Sequence, residues 1–247
     1  MRFLSLLWGL VLLCPLDTIQ AQSIPLPEHP RPDFQRPNWQ NLNGQWDFQF
    51  DPNDEGLAQH WESEGEAFKA KIMVPFPWGS ALSKQKDEAD IAWYHRSISV
   101  DEAWQEQRTF LTIGASDWET SVWLDGKLLG KHEGGYTPFS FELTEHLKYG
   151  QAQNLVIRVD DARRDFTLYG KQGYGNARGI WQTIYLEARG KNHLESLHFL
   201  PDIDQAKVQV IARLAEPVKA ETKLELNIST QERHELAFPA GADQLTA

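Results

Sequence analysis

Cysteine is almost absent from this sequence, because its 247 residues contain a single one, Cys14. One cysteine cannot form a disulfide within the chain, so the fold must rely on its buried core. The same scarcity excludes the cysteine-rich spacings that hold structural zinc. A content of 41% hydrophobic residues is enough for such a core and argues against a wholly disordered chain.

Positive charge is also scarce. The sequence has 24 Lys and Arg against 35 Asp and Glu, a formal net charge of -11 at pH 7. Nucleic-acid binding depends on clustered Lys and Arg that displace counterions from phosphates, so we expect no nucleic-acid partner. After the first residues no stretch is apolar enough to cross a membrane, and we expect no transmembrane segment.

The only long apolar run lies at the start of the chain. A short basic start precedes the apolar residues 3–14, and a polar stretch follows. This layout is typical of a secretory signal peptide, so residues 1–21 are interpreted as a leader that is cleaved after Ala21. Lipid attachment at Cys14 is the rival interpretation, and the large Leu13 before it disfavours that interpretation. We expect a secreted or periplasmic protein.

Aromatic residues are abundant, with 10 Trp, 12 Phe and 6 Tyr. They recur with other apolar residues at every second position, which is the period of a β-strand. Such alternation occurs at residues 46–50, 94–100, 109–113, 139–143, 155–159, 208–214 and 222–228, and residues 179–186 read as one further strand. Asp125 and Gly126 follow another such segment and predict a tight hairpin, because both residues can adopt positive φ. Helical signals at residues 55–68 and 143–147 are weak, so we predict an all-β antiparallel sandwich.

A change in composition near residues 188–192 predicts a domain boundary. Trp is frequent before it, and none follows Trp181. The remaining residues, up to Ala247, are fewer than the ~100 of a complete immunoglobulin-like sandwich, so we expect an unfinished second domain.

Motifs that carry chemistry on their own are missing. The sequence has no P-loop, no Cys/His spacing for zinc and no Gly-x-Ser-x-Gly elbow. We therefore expect no metal site and no cofactor. His132, beside Glu133, is interpreted as a structural histidine rather than a ligand or base. Asp160 and Asp161 could contact calcium, but a solvated turn at a strand end is the favoured interpretation.

A series of Trp-rich segments resembles a known family. Residues 36–48 (RPNWQNLNGQWDF) resemble the opening of the N-terminal domain of glycoside hydrolase family 2, which contains β-galactosidases, β-glucuronidases and β-mannosidases. Further family-like segments follow in order at residues 74–78, 93–96, 114–118, 122–126, 130–139, 154–160 and 179–183. The resemblance implies a jelly-roll (galactose-binding-like) β-sandwich at residues 22–189. The start of an immunoglobulin-like β-sandwich would follow at residues 190–247.

The resemblance also implies which part of such an enzyme is catalytic. In this family a (β/α)₈ barrel after the second sandwich carries two catalytic glutamates, and the acid/base glutamate follows an asparagine. No Asn-Glu pair occurs in this sequence. We therefore assign no catalytic residue to the chain, and we expect the missing barrel and a carbohydrate to be its partners.

The loop before Gly179 is where the resemblance implies contact with sugar. Its candidate side chains, which could bind sugar hydroxyls or carboxylates, are Lys171, Gln172, Tyr174, Asn176 and Arg178. Galactosidases and glucuronidases of the family have an aspartate six residues before this glycine, and here that position is Gly173. A purely structural loop is the alternative interpretation.

Other signature residues are interpreted as architecture. Trp46, Trp123 and Trp181 are expected in the core rather than as sugar platforms. Arg96 and Asp117 are expected to pair and to hold loops, because a buried charge needs a counter-charge or several hydrogen bonds.

Three hypotheses about function remain at this stage. The first is the N-terminal, sugar-binding part of a secreted family 2 glycosidase, present as a fragment. The second is a stand-alone carbohydrate-binding module without catalysis. The third is a structural domain whose exposed face is covered by a barrel or a second subunit.

Overall fold

The computed structural model describes residues 24–63, 67–86, 89–162, 178–227 and 233–247. The described residues form seventeen strands and two short 3₁₀ helices, Glu102–Trp104 and Thr144–His146. In chain order the strands are β1 (Trp39–Asn41), β2 (Gly44–Phe50), β3 (Ala70–Val74), β4 (Ile91–Ser99), β5 (Arg108–Ile113), β6 (Ser116–Asp117), β7 (Glu119–Leu124), β8 (Lys127–Glu133), β9 (Phe139–Glu142), β10 (Ala152–Asp160), β11 (Gly179–Ile180), β12 (Ile184–Arg189), β13 (Leu194–Asp202), β14 (Lys207–Leu214), β15 (Thr222–Asn227), β16 (Arg233–Phe238) and β17 (Gln244–Thr246). The predicted all-β class is confirmed. Within the described part of the chain, no helix is long and apolar enough to span a membrane.

Two antiparallel sheets form a sandwich. One has six strands in the order β3-β2-β4-β10-β7-β8, and the other has four in the order β1-β12-β5-β9. The longest pairing joins β4 and β10. Ile91 lies opposite Asp160 at one end of it, and Ser99 lies opposite Ala152 at the other. Strands β6 and β11 pair with each other in a separate two-stranded sheet.

The core between the sheets follows the alternation in the sequence. Leu155, Ile157 and Val159 of β10 are fully buried, together with Trp46 and Tyr94 from neighbouring strands. Burying a large apolar side chain stabilises the folded state by roughly 1.5–3 kcal/mol. The sandwich therefore has a core large enough to fold without disulfides.

The outer face of the six-stranded sheet is buried as well. Trp93, Trp123 and Val156 point to that face and form a second apolar cluster with Phe68, against which Trp61 packs. The indole rings of Trp93 and Trp123 are stacked, with centroids 5.4 Å apart. The segment after β2, which contains Trp61 and Phe68, thus packs on this face, and its described residues form turns rather than an α-helix.

Asp51 organises the start of that covering segment. Its carboxylate accepts hydrogen bonds from the backbone N–H groups of Glu55 and Gly56, at 2.8 and 2.9 Å. It also accepts a hydrogen bond from the indole N–H of Trp93, at 2.9 Å. The turn is therefore tied directly to the sheet that it covers.

The hairpin predicted at Asp125 and Gly126 is confirmed. These residues connect β7 and β8 with φ angles of 48° and 77°. The Asp125 carboxylate also accepts a hydrogen bond from the backbone N–H of Asn154, at 2.8 Å. Local turn chemistry and a contact to β10 specify the same conformation.

Two expectations about signature residues are wrong. Arg96 does not pair with Asp117: its guanidinium donates to the carbonyl oxygens of Leu42 and Asn43 and lies over the Trp46 ring, 5.7 Å from its centroid. Trp181 is not in the core but half-buried between β11 and β12, because the strand expected over residues 179–186 is interrupted there.

A smaller set of strands follows β12. Strands β13, β14 and β17 form one sheet and β15 and β16 another, and they enclose a small core around Ala212, Val218 and Phe238. A buried glutamate links this part to the sandwich. Glu187 accepts hydrogen bonds from Arg36 at 2.7 Å and Arg189 at 2.8 Å, and Arg36 also donates to the Leu194 carbonyl at 2.6 Å.

Candidate functional site

The candidate site lies at the end of the sandwich where β6 pairs with β11. Gly179 is opposite Asp117, and Ile180 is opposite Ser116. Gly179 has a φ of 76°, and a Cβ there would overlap the Trp78 ring and the Tyr94 hydroxyl. Only glycine fits this conformation and this space, so β11 can approach the core closely at the point where the candidate loop rejoins the sandwich.

Arg178 is the candidate loop residue that the structure describes. Its side chain is buried, and Nη1 donates to the Ala89 carbonyl at 3.1 Å and to Asp90 Oδ1 at 3.2 Å. Its Nε lies 3.4 Å from Asp161 Oδ2 but has no hydrogen-bond partner within the described residues. Nη1 thus fixes Arg178 to Ala89 and Asp90, whereas its Nε–H has no hydrogen-bond partner among the described residues.

The other four candidates lie outside the described residues. Lys171, Gln172, Tyr174 and Asn176 belong to residues 163–177, and so does Gly173. Their assignment to sugar contact stays a prediction.

Asp161 stands just before those residues and has an unusual pKa. Burial, the carboxylate of Asp117 and, more weakly, Asp90 and Asp160 raise the pKa of Asp161 to about 7, against the opposing effect of Arg178. The backbone N–H of Asp161 donates to the Asp90 carbonyl at 2.8 Å. We call Asp90, Asp117 and Asp161 the carboxylate cluster.

Asp117 is the member of the carboxylate cluster that lies opposite Gly179. Burial raises the pKa of Asp117, and no hydrogen bond from a described residue opposes that effect. Gly135 lies directly over it, since a Cβ on Gly135 would be 2.5 Å from Asp117 Oδ1. Any side chain at position 135 would therefore overlap this carboxylate.

Trp118 follows Asp117 in the sequence, and Tyr136 and Trp181 lie beside Gly135; we call these three aromatic side chains the aromatic edge. Trp118 is 41% exposed and Tyr136 79% exposed. The Trp181 indole N–H donates to the Gly135 carbonyl at 2.8 Å, and the rings of Tyr136 and Trp181 meet edge-to-face at 5.6 Å. The motifs that contain these residues predict architecture rather than a site, and the one signal of an exposed ring is that Tyr136 follows two glycines.

Two other candidate residues have structural partners. The Asp160 carboxylate accepts hydrogen bonds from the backbone N–H of Ala162 at 2.9 Å and from Arg158 at 3.4 Å. His132 stacks on Phe139 with ring centroids 3.9 Å apart. No group of three or more His, Cys, Asp or Glu that could hold a metal ion occurs among the residues for which the structure is described.

The family model for the sugar-binding domain of glycosyl hydrolases family 2 matches residues 39–188. The chain belongs to glycoside hydrolase family 2. The match begins at the first residue of β1 and ends one residue before the end of β12, so it covers both large sheets and the candidate site.

Curated relatives of the family 2 chain are much longer than the chain itself. A β-galactosidase of Thermoanaerobacter pseudethanolicus is 28% identical over 187 residues, which are 69% of this chain and 24% of that protein. A β-glucuronidase of Bacteroides fragilis is 23% identical over 201 residues, which are 77% of this chain and 26% of that protein. The chain spans about a quarter of the length of these relatives.

Solved structures show the same fold. The apo β-glucuronidase from Ruminococcus gnavus superposes with a TM-score of 0.68 at 19% identity, covering 86% of this chain and 39% of that one. A β-glucuronidase from Lactobacillus rhamnosus matches with the same TM-score, identity and coverage. At this level of identity the likeness establishes the fold of the family 2 chain, not its substrate.

Proposed function

We propose that this chain is the sugar-binding, non-catalytic part of a family 2 glycosidase that hydrolyses β-glycosidic bonds. The observation that carries the proposal is the family match over residues 39–188, which coincides with the sandwich from β1 to β12. The relatives named β-galactosidase and β-glucuronidase support the reaction class.

The chemistry of the candidate site is suited to a sugar. Exposed aromatic rings present flat apolar faces on which the C–H groups of a pyranose can stack. Carboxylates beside them accept hydrogen bonds from hydroxyl groups. The aromatic edge and Asp117 supply both at one end of the sandwich, which supports this end as the surface that contacts the sugar.

We infer that catalysis belongs to a barrel outside this chain. The inference rests on the family resemblance and on the absence of any Asn-Glu pair in the sequence. Exposed apolar side chains on the β13–β14 hairpin support a protein partner for the second domain, namely Phe199, Leu200, Ile203 and Val208. We propose the catalytic barrel as that partner, and this favours the glycosidase over a stand-alone binding module.

Calorimetry of the purified chain against a panel of methyl β-glycosides tests the proposal. We expect heat of binding for at least one glycoside and no hydrolysis of aryl β-glycosides by the chain alone. A flat response to the whole panel would refute sugar binding. Turnover that persists through repeated purification would refute the non-catalytic assignment.

A further inference from the structure

We propose that a small oxyanion, such as a carboxylate or phosphate group, binds in a pocket where the segment before β1 meets β12 and β13. Three arginines line this pocket, Arg31, Arg36 and Arg189, and we call it the arginine pocket. None of its lining residues belongs to the candidate site at β6 and β11, so an anion here would be a second ligand, separate from the sugar.

Three parts of the chain form the arginine pocket. Arg31 and Arg36 come from the segment before β1, Arg189 from the end of β12 and Glu195 from β13. The cavity has a volume of about 80 Å³. Because a water molecule occupies about 30 Å³ in the liquid, the cavity has room for roughly two or three waters or for one small oxyanion. A ligand there would contact the sandwich and the second domain at once.

The buried charges beside the arginine pocket do not balance. Glu187 is almost fully buried and accepts hydrogen bonds from both Arg36 and Arg189. The side chains of these two arginines are each only 17% exposed. Two largely buried cations therefore share one anion. A buried charge needs a counter-charge or several hydrogen bonds to offset its desolvation, so the excess positive charge favours a bound anion.

The neighbouring acidic side chains do not remove this excess, because each has an arginine of its own. Asp33 accepts two hydrogen bonds from Arg31, at 3.0 and 2.8 Å. Glu195 lies 3.7 Å from the Nε of Arg213. The buried ring of His29 lies near the same cluster and carries no negative charge in either protonation state. Among the described residues, one guanidinium charge thus remains without a counter-charge.

The pKa values of nearby groups reflect the same positive potential. Burial lowers the pKa of the Arg36 guanidinium in spite of Glu187, and Arg189 lowers it further. Burial also lowers the pKa of His193, a hydrogen bond to a backbone carbonyl opposes this effect, and the charges of Arg189, Arg36 and Arg108 add to it. A bound anion would offset this potential.

The arginines have donors to offer. A guanidinium carries five N–H groups. The hydrogen bonds of Arg189 to other described residues use only its Nε, and those of Arg31 use its Nε and Nη2. Arg189 also lies over the Phe110 ring, 4.1 Å from the centroid, and such stacking leaves the N–H groups in the guanidinium plane available. Paired N–H groups of this kind match the oxygens of a carboxylate or a phosphate.

Calorimetry of the purified chain at pH 7 with sodium phosphate and with sodium acetate tests the proposal, with sodium chloride holding the ionic strength constant. We expect saturable binding of at least one of these anions, and the tighter one identifies the class of oxyanion. In Arg189→Gln the affinity should fall at least tenfold, because charge-assisted hydrogen bonds to the anion are lost. Lys223→Gln, which breaks an exposed pair with Glu235, is the control and should leave the affinity unchanged.

Arg31→Gln provides a second variant in case Arg189→Gln does not fold. The Arg31 side chain is 50% exposed, so its replacement should leave the chain folded, as circular dichroism would verify, and should also weaken anion binding. No saturable heat with either anion would overturn the proposal. An affinity that is the same in the parent and in a folded arginine variant would overturn it as well, because the anion would then bind elsewhere.

Discussion

Asp161 Oδ2 lies 3.4 Å from the Nε of Arg178, yet the pKa of Asp161 is raised to about 7. A neighbouring cation alone would lower that pKa. Burial and the carboxylate of Asp117 outweigh the arginine, so the folded chain holds this proton more tightly than the unfolded chain does. The candidate site thus keeps acidic groups together at some expense to stability.

The raised pKa of Asp161 predicts a dependence of stability on pH. The favourable contribution of its protonated form is complete below the ordinary pKa of 3.8 and is lost as the pH rises to about 7. Asp161→Asn removes this dependence, so the variant should gain stability relative to the parent between pH 5 and pH 8. After discounting for solvent screening we expect roughly 1 kcal/mol, or ~2–4 °C in Tm.

Thermal unfolding at the two pH values measures this effect. Asp33→Asn is the matched control, because its hydrogen bond to Arg31 lowers the pKa of Asp33 and places its titration below pH 5. The difference in Tm between the Asp33→Asn control and the parent should be the same at pH 5 and at pH 8. If the difference in Tm between Asp161→Asn and the parent were also the same at both pH values, the raised pKa of Asp161 would be contradicted.

Gly179 should tolerate no side chain. A Cβ there would overlap Trp78 and Tyr94, and its φ of 76° is unfavourable for any other residue. We expect Gly179→Ala to lower the free energy of unfolding by about 3 kcal/mol or more, from steric overlap in the core and backbone strain. Gly44→Ala is the control, because Gly44 also has a positive φ, 112°, but a Cβ there would meet no atom within 4 Å beyond its chain neighbours.

Denaturant unfolding of both glycine variants separates strain from overlap. In Gly44→Ala the free energy of unfolding should fall by about 1–2 kcal/mol, because only the left-handed backbone conformation is unfavourable there. If the free energy of unfolding fell equally in both variants, steric overlap at position 179 would have no part in the destabilisation of Gly179→Ala.

Glu187 should be more important to stability than exposed glutamates. It is 1% exposed and pairs with both Arg36 and Arg189. Glu187→Gln leaves two guanidinium groups without their shared anion, and we expect a loss of about 3 kcal/mol. Glu106→Gln, which breaks the exposed pair with Lys191, should change stability by less than about 1 kcal/mol. Denaturant titration measures the free energy of unfolding of both variants. An equally small change in Glu187→Gln and Glu106→Gln would contradict the importance of burial at Glu187.

We also infer that the protein is exported. Residues 1–23 lie outside the described residues, so cleavage after Ala21 stays a prediction from the sequence. Mass spectrometry of the protein purified from an exporting host should find an N-terminus at Gln22. An intact Met1 would contradict export, and a lipid-modified Cys14 would support the anchor instead.

Local rules predicted much of the sandwich. The alternation of Leu155, Ile157 and Val159 and the turn at Asp125-Gly126 depend on neighbouring residues, and the structure confirms both. Burial of Val156 on the opposite face was not predictable, because it depends on a distant segment that packs there.

The wrong expectations for Trp181 and Arg96 have the same origin. Strand periodicity and charge predict their positions from nearby residues, but these positions depend on contacts with residues far away in sequence. Trp181 is bonded to Gly135, and Arg96 to the carbonyl groups of Leu42 and Asn43. The order of the family segments indicated a sugar-binding domain, whereas only the folded chain brings Tyr136 and Asp117 together.

The most direct test of sugar binding at this end follows the indole N–H signals of the chain by NMR during titration with a neutral methyl β-glycoside. We predict shifts for Trp118 and Trp181, and none for Trp46 and Trp93, whose N–H groups are bonded inside the fold to the Leu42 carbonyl and to Asp51. Tyr136→Ala, at an exposed position, should abolish the shifts without unfolding the chain. Unchanged Trp118 and Trp181 signals at the highest sugar concentration would contradict the account.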